Sequence, residues 1–381
     1  MDFQALSDSI GDANQLFERL GHQLADTGRW HELFEARLTE ARHRLGLSLV
    51  DPPSLDDLPE AQRLTLENDY TAACREVGGL LIDAGRLREA WQYLRPVGDK
   101  QTLHGALSRA IPNDENVDEL VELALYEAVD VERGFGWLLG RSGTCNAITT
   151  LEGLAPQLAP ADLRCCTAAL VRHLDRELRD NLANVIARQE DATALTEASL
   201  NELLEGRDWL FEGEAVHVDV SHLAAAVRLA RVVTEPQVVE LALGLTEYGG
   251  RLHESLQYEG DPPFEKMYEA HQLFFAATLD RDTDSASAYF CEQAKQSDPA
   301  QEGTAAIETW LVLLDRLGRP EEALAVYDRL VPDDARLSPY APRMIDLALR
   351  SGNWELYEKV LSRRDDPVGL AMGLLARDEN S

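Results

Sequence analysis

The stretch Thr304–Leu361 contains a helix–turn–helix unit followed by a second copy of its turn, and that unit dictates what the rest of the chain can pack against. In Thr304–Leu317 the apolar residues Ile307, Trp310, Leu311, Leu314 and Leu317 recur three or four positions apart, which lines one face of a helix. Gly318-Arg319-Pro320 breaks the pattern, and Ala323, Val326, Tyr327 and Leu330 restart it before Pro332 closes it. Two short helices joined by so tight a turn are antiparallel neighbours. The turn returns at Ser351-Gly352-Asn353-Trp354, and Gly352 follows Gly318 by 34 residues. A fixed period of that length marks a helical repeat array.

The residues Leu317–Tyr327 (Leu-Gly-Arg-Pro-Glu-Glu-Ala-Leu-Ala-Val-Tyr) resemble the tetratricopeptide-repeat family. Ala323 stands where that family packs its two helices closest, Tyr327 at its aromatic position and Pro332 near its terminal proline. The resemblance implies an all-α, right-handed superhelical solenoid of antiparallel hairpins, and a binding scaffold whose concave face holds a peptide or helix of a partner. The pattern is echoed near the N-terminus. Gly28-Arg29-Trp30 separates helical patterns over Asn14–Gly28 and His31–Gly46, although Leu33 occupies the place of the small residue. Gly85-Arg86-Leu87 follows a long helical pattern over Pro59–Ala84, with Ala90 in the close-packing place.

Between these ends the period blurs. Asn116–Val129, Val131–Leu139, Cys145–Leu158, Ala161–Arg188 and Asp191–Gly206, the last with Leu195, Leu200, Leu203 and Leu204, all carry helical spacing without the repeat. Phe211–Val220 alternates loosely, as an extended segment does. Ser221–Val233 and Pro236–Tyr248 are expected helices, the second ended by Gly249-Gly250, and Arg251–Pro263 is a long connection. Phe264–Leu279 and Asp284–Gln296 form a further hairpin, in which Asp261 caps and the prolines open the first helix. The expected division is residues 1–110 as N-terminal hairpins, 111–210 as an irregular middle, and 211–381 as histidine-rich connections followed by repeats.

The formal charge of −32, from 36 basic against 68 acidic residues, repels phosphate backbones and anionic lipid, and no run of basic residues offsets it. Nucleic acid and membrane surfaces are therefore not expected partners, and a basic or amphipathic protein segment is. Five cysteines without CxxC spacing suggest neither a disulfide framework nor a zinc ribbon. With no basic-then-apolar leader and no long apolar run, the expected setting is the cytoplasm.

His217, His222, His253 and His271 fall in or beside the two irregular connections. His217 and Asp219 would share one side of an extended segment, with His222 following at a helix start. These three, with His271 or His253 and a carboxylate such as Asp261 or Glu265, form the candidate zinc or iron site, centred on His217, Asp219, His222 and His271. Such a site would make a bound water nucleophilic in a metal-dependent hydrolase. Against it, the sequence lacks His-Glu-x-x-His, the imidazoles of His217 and His222 can brace loop carbonyls, and Asp219 or Ser221 suits a helix cap. Phe264, Tyr268, His271 and Phe275 share a helical face that is either core or a groove; in the second case Tyr258, Glu265, Tyr268 and His271 are the candidate partner-binding residues. Phosphate loops and Gly-x-Ser-x-Gly are absent, and no catalytic residue is assigned. The expected function is a protein-interaction scaffold, with metal binding as the alternative and self-association of the repeat surface as a further possibility.

Overall fold

The computed structural model of the chain describes residues 2–9, 11–190 and 198–379. It is all-α, with no strand among the described residues. Two compact units divide between Arg141 and Ser142.

In the first unit, Ala13–Asp26, Trp30–Arg44, Glu60–Asp83, Leu87–Leu94 and Lys100–Leu107 each pack against the next in the chain. Their apolar faces bury Leu24, Leu33, Leu81, Leu94 and Leu103 in one core. The helix restarts fall where glycine permits a left-handed residue. Gly28, Gly85 and Gly318 have φ of 69°, 76° and 66°. After each, the next N–H reaches back five residues to a carbonyl: Arg29 to Leu24, Arg86 to Leu81 and Arg319 to Leu314, all at 2.9 Å. The glycine N–H bonds three residues back, which completes the Schellman arrangement that satisfies the last carbonyls of a helix. The arginine after each glycine then pairs with the glutamate three residues on, Arg29 with Glu32, Arg86 with Glu89 and Arg319 with Glu322. The local unit is thus Gly-Arg-x-x-Glu. The residue following it is fully buried each time, as Leu33, Ala90 and Ala323. Gly352 is a simpler version, with a single bond from its N–H to Ala348 at 2.8 Å and Asn353 capping the N–H of Leu356.

The same Schellman geometry recurs without glycine at Ala128, Asp280 and Asp365, whose φ values are 52°, 60° and 53°. A Cβ in this region costs about 1–2 kcal/mol, part of which a glycine would return as entropy to the unfolded chain. Ala128→Gly is therefore expected to stabilise the protein by about 0.5–1 kcal/mol, read as a rise in the urea midpoint. A fall would mean that the Ala128 methyl contributes more than its backbone costs.

The middle departs from simple helices. Val117–Val121 runs into a π turn at Glu122–Tyr126, and Val131–Leu154 is interrupted at Gly143, where φ is 77° and ψ 172°. Pro160–Gln189 is a continuous helix that contacts Val220–Leu229 and Pro236–Arg251. Of the expected helix over Asp191–Gly206, the described part contains Leu200–Leu204, opened by a capping box between Ser199 and Glu202, while residues 191–197, with Leu195, lie outside the described residues. Phe211–Val220 holds no strand: it is the end of a 3-10 turn, Asp208–Phe211, and an irregular lead into the next helix.

Two expectations around the long connection are corrected. Gly249-Gly250 does not end its helix, which continues to Arg251; Gly249 is there because the Tyr268 ring lies against it. The following helix begins at Met267 rather than at Phe264. Residues 261–264 form a turn, with the Phe264 N–H donating to Asp261 at 2.7 Å, and the Phe264 ring is sunk among His271, Phe274 and Phe290. Ala305–Arg316, Pro320–Arg329, Met344–Ser351 and Trp354–Arg363 then follow as the C-terminal periodicity predicts, and Pro367–Glu379 extends the series.

Candidate functional site

The rings of His217, His253 and His271 take separate structural duties, and His222 contributes its backbone N–H to a helix cap. The Tyr248 hydroxyl accepts the backbone N–H of His217 at 3.0 Å and lies 3.0 Å from its Nδ1, while Asn181 donates to the His217 carbonyl at 2.8 Å. Burial lowers the His217 pKa and so favours the neutral ring. Asp219 caps Val220–Leu229, accepting the N–H groups of Ser221 and His222 at 2.8 and 3.3 Å. The Ser221 hydroxyl, with these N–H groups, holds its carboxyl below the usual range. His253 caps the Glu254–Leu256 turn through Ser255. His271 is buried, with Nδ1 2.6 Å from the Met267 carbonyl and its ring stacked on Phe264 at 4.1 Å. No group of three or more His, Cys, Asp or Glu side chains is arranged to hold a metal ion among the described residues. Of the four residues proposed to meet a partner, Tyr258 and Glu265 are exposed, whereas Tyr268 and His271 belong to the core.

Two clefts in the second unit carry opposite charge. One, of about 610 Å³, is lined by Glu202, Glu205, Glu247 and Glu269 beside Arg251. Burial, reinforced by neighbouring Glu240, raises the Glu247 pKa. The other, of about 600 Å³, gathers Arg164, Arg228, Arg231 and Arg316 from three separate segments. Their convergence is the basic patch that no local run of residues announces.

The acids in this second cleft are engaged. Glu152 pairs with Arg228, Asp315 with Arg350, and Glu308 accepts the Thr304 hydroxyl at 2.6 Å and the Ser338 N–H at 3.1 Å. Arg231 lies over the Phe264 ring at 4.7 Å and donates Nε–H to the Arg228 carbonyl at 2.9 Å. Arg316 lies over Phe274 at 5.2 Å and donates through Nη2 to the Arg231 carbonyl at 2.5 Å; its Nη1 is buried without a hydrogen-bond partner. Burial pushes the Arg231 pKa down to about 10, with Arg228 adding repulsion. Burial likewise pushes Arg316 down to about 10, where Asp315 opposes the shift and Arg164 adds to it. The spacing Arg228-x-x-Arg231 was the one local sign of this cluster, since Arg164 and Arg316 are far away in the sequence.

No protein-family model, curated protein or solved structure matches the chain. Among the described residues, no helix is long and apolar enough to cross a membrane.

Proposed function

We propose that the protein is a helical-repeat scaffold that docks a basic or amphipathic segment of another protein. The observation that carries this reading is the recurrence of one turn, Gly-Arg-x-x-Glu, at Gly28, Gly85 and Gly318, each followed by a buried position against which the next helix closes. Helices that pack chiefly on their chain neighbours leave long faces open to other molecules, as the tetratricopeptide-like pattern implies. The charge of −32 selects the kind of segment, and the cleft lined by Glu202, Glu205, Glu247 and Glu269 is the place of matching sign. The metal-centred alternative has no convergent ligand set in its favour among the described residues.

The test is fluorescence anisotropy with a labelled Lys/Arg-rich amphipathic peptide and its Glu-substituted counterpart. Binding of the basic peptide is expected to weaken by about tenfold or more as ionic strength rises from about 0.01 M to about 1 M, because the screening length shrinks from about 30 Å to about 3 Å. Reversing Glu247 and Glu269 to lysine should weaken it at low salt as well. Equal binding of the two peptides, or affinity unmoved by salt, would refute the proposal.

A further inference from the structure

A chain with nearly twice as many acidic as basic residues has carboxylates to spare, yet it leaves Arg164, Arg231 and Arg316 together in one cleft with no ion pair among the described residues. Chance does not favour this arrangement. Cationic groups without an ion-pair partner are costly to gather, more so where two of the guanidinium groups are withdrawn from water and lie over Phe264 and Phe274. Arg316 adds a specific deficit, a buried Nη1 whose donors meet neither protein nor solvent. The cluster is also held in place. Arg231 and Arg316 are tied by hydrogen bonds to the Arg228 and Arg231 carbonyls, so the guanidinium groups are ordered by bonds that do nothing to neutralise them.

We infer that this cleft is a binding site for a small organic phosphate, its phosphoryl group received by Arg164, Arg231 and Arg316 and its organic body by the apolar wall. Three arginines that form no ion pair among the described residues match a phosphomonoester, which carries about −1.5 to −2 charge near neutrality, better than a single carboxylate. Arginine supplies paired N–H donors that fit phosphate oxygens two at a time. Leu229, Val232, Val312 and Pro339 line the remainder of a space of about 600 Å³, which suits a compact organic group and exceeds what an inorganic ion needs. The nearby side-chain acids are already occupied by Arg228, Arg350, Thr304 and the Ser338 backbone, so they need not be displaced. This inference does not depend on a protein segment docking elsewhere.

The experiment is isothermal titration of the full chain with phenyl phosphate, inorganic phosphate, benzoate and benzyl alcohol. Phenyl phosphate should bind best, inorganic phosphate and benzoate more weakly, and benzyl alcohol least. Arg164→Gln removes a side chain that makes no structural hydrogen bond among the described residues, so its fold should persist while phenyl phosphate affinity falls about tenfold. Arg316→Met should abolish binding, and circular dichroism should show its helix content retained. Phenyl phosphate binding no better than benzyl alcohol, benzoate binding more tightly than phenyl phosphate, or both variants binding as the parent would each overturn the assignment. So would inorganic phosphate matching phenyl phosphate, or a Glu-rich peptide binding where phenyl phosphate does not.

Discussion

Gly249→Ala is expected to cost about 3 kcal/mol of stability, seen as a large drop in the urea midpoint. A Cβ at Gly249 would lie 2.2 Å from a Tyr268 ring carbon, when ordinary contact begins near 3.4 Å, so ring or helix must move by more than 1 Å. Neither has room. Tyr268 is 3% exposed on a helix that packs closely on the one carrying Gly249. Alanine is the better helix former by about 1 kcal/mol, but that gain is smaller than the strain. The adjacent Gly250 separates the two effects: its added Cβ would sit 3.7 Å from the Tyr268 Cβ, so Gly250→Ala should be neutral or slightly stabilising. Pairing Gly249→Ala with Tyr268→Ala should cost less than the sum of the single changes, because the clash disappears. Strict additivity would show that Tyr268 is not what excludes the methyl group.

Acidification is expected to destabilise the protein well above the pH at which carboxylates protonate, and His271 is the chief cause. Burial lowers its pKa from 6.5 to about 3, with repulsion from Arg231 and Arg228 adding to the shift and the Met267 carbonyl resisting it. The unfolded chain takes up a proton near 6.5, whereas the folded chain does not until about 3. Stability is therefore complete above 6.5 and is lost on going down through this window, at about 1.4 kcal/mol per pH unit. At about pH 5 the loss from this residue is about 2 kcal/mol. Carboxylates with lowered pKa, such as Asp219 and Asp328, have the same sign but act chiefly below their unfolded value of 3.8, so they meet only the acid end of the His271 window. His217 does overlap, since burial also lowers its pKa. His271→Phe isolates the larger contribution: it keeps an aromatic ring against Phe264, and its stability should decline less steeply than the parent's between about pH 6.5 and pH 5. Parallel profiles would place the source elsewhere.

What the sequence made legible follows from how far each feature reaches. The turns at Gly28, Gly85, Gly318 and Gly352 were readable because a left-handed residue is nearly always glycine, and glycine shows in the letters. Turns of the same geometry at Ala128, Asp280 and Asp365 were not, because tertiary packing holds those residues in a conformation their type does not announce. Of these only Ala128 falls in the stretch 111–210 where the period fades. Gly249 misled in the opposite direction, since a glycine selected for close approach looks identical to one that stops a helix. Asp219 as a helix cap was visible from local spacing. The separation of His217, His253 and His271 into unrelated tasks was not, because it is decided by how the irregular connections and the helix Met267–Thr278 pack. Least visible was the arginine cleft, where Arg164, Arg228, Arg231 and Arg316 meet only after distant helices pack.

The close pairing of successive helices in the first unit, from Ala13–Asp26 through Lys100–Leu107, also bears on how quickly that part of the molecule assembles. Contacts between segments adjacent in the chain close short loops, which consume little entropy, and the Schellman turns set the direction of each return before much apolar surface is hidden. Low contact order of this kind belongs to fast-folding helical proteins. It shortens the time for which the faces carrying Leu33, Leu81 and Leu94 are open to aggregation during synthesis.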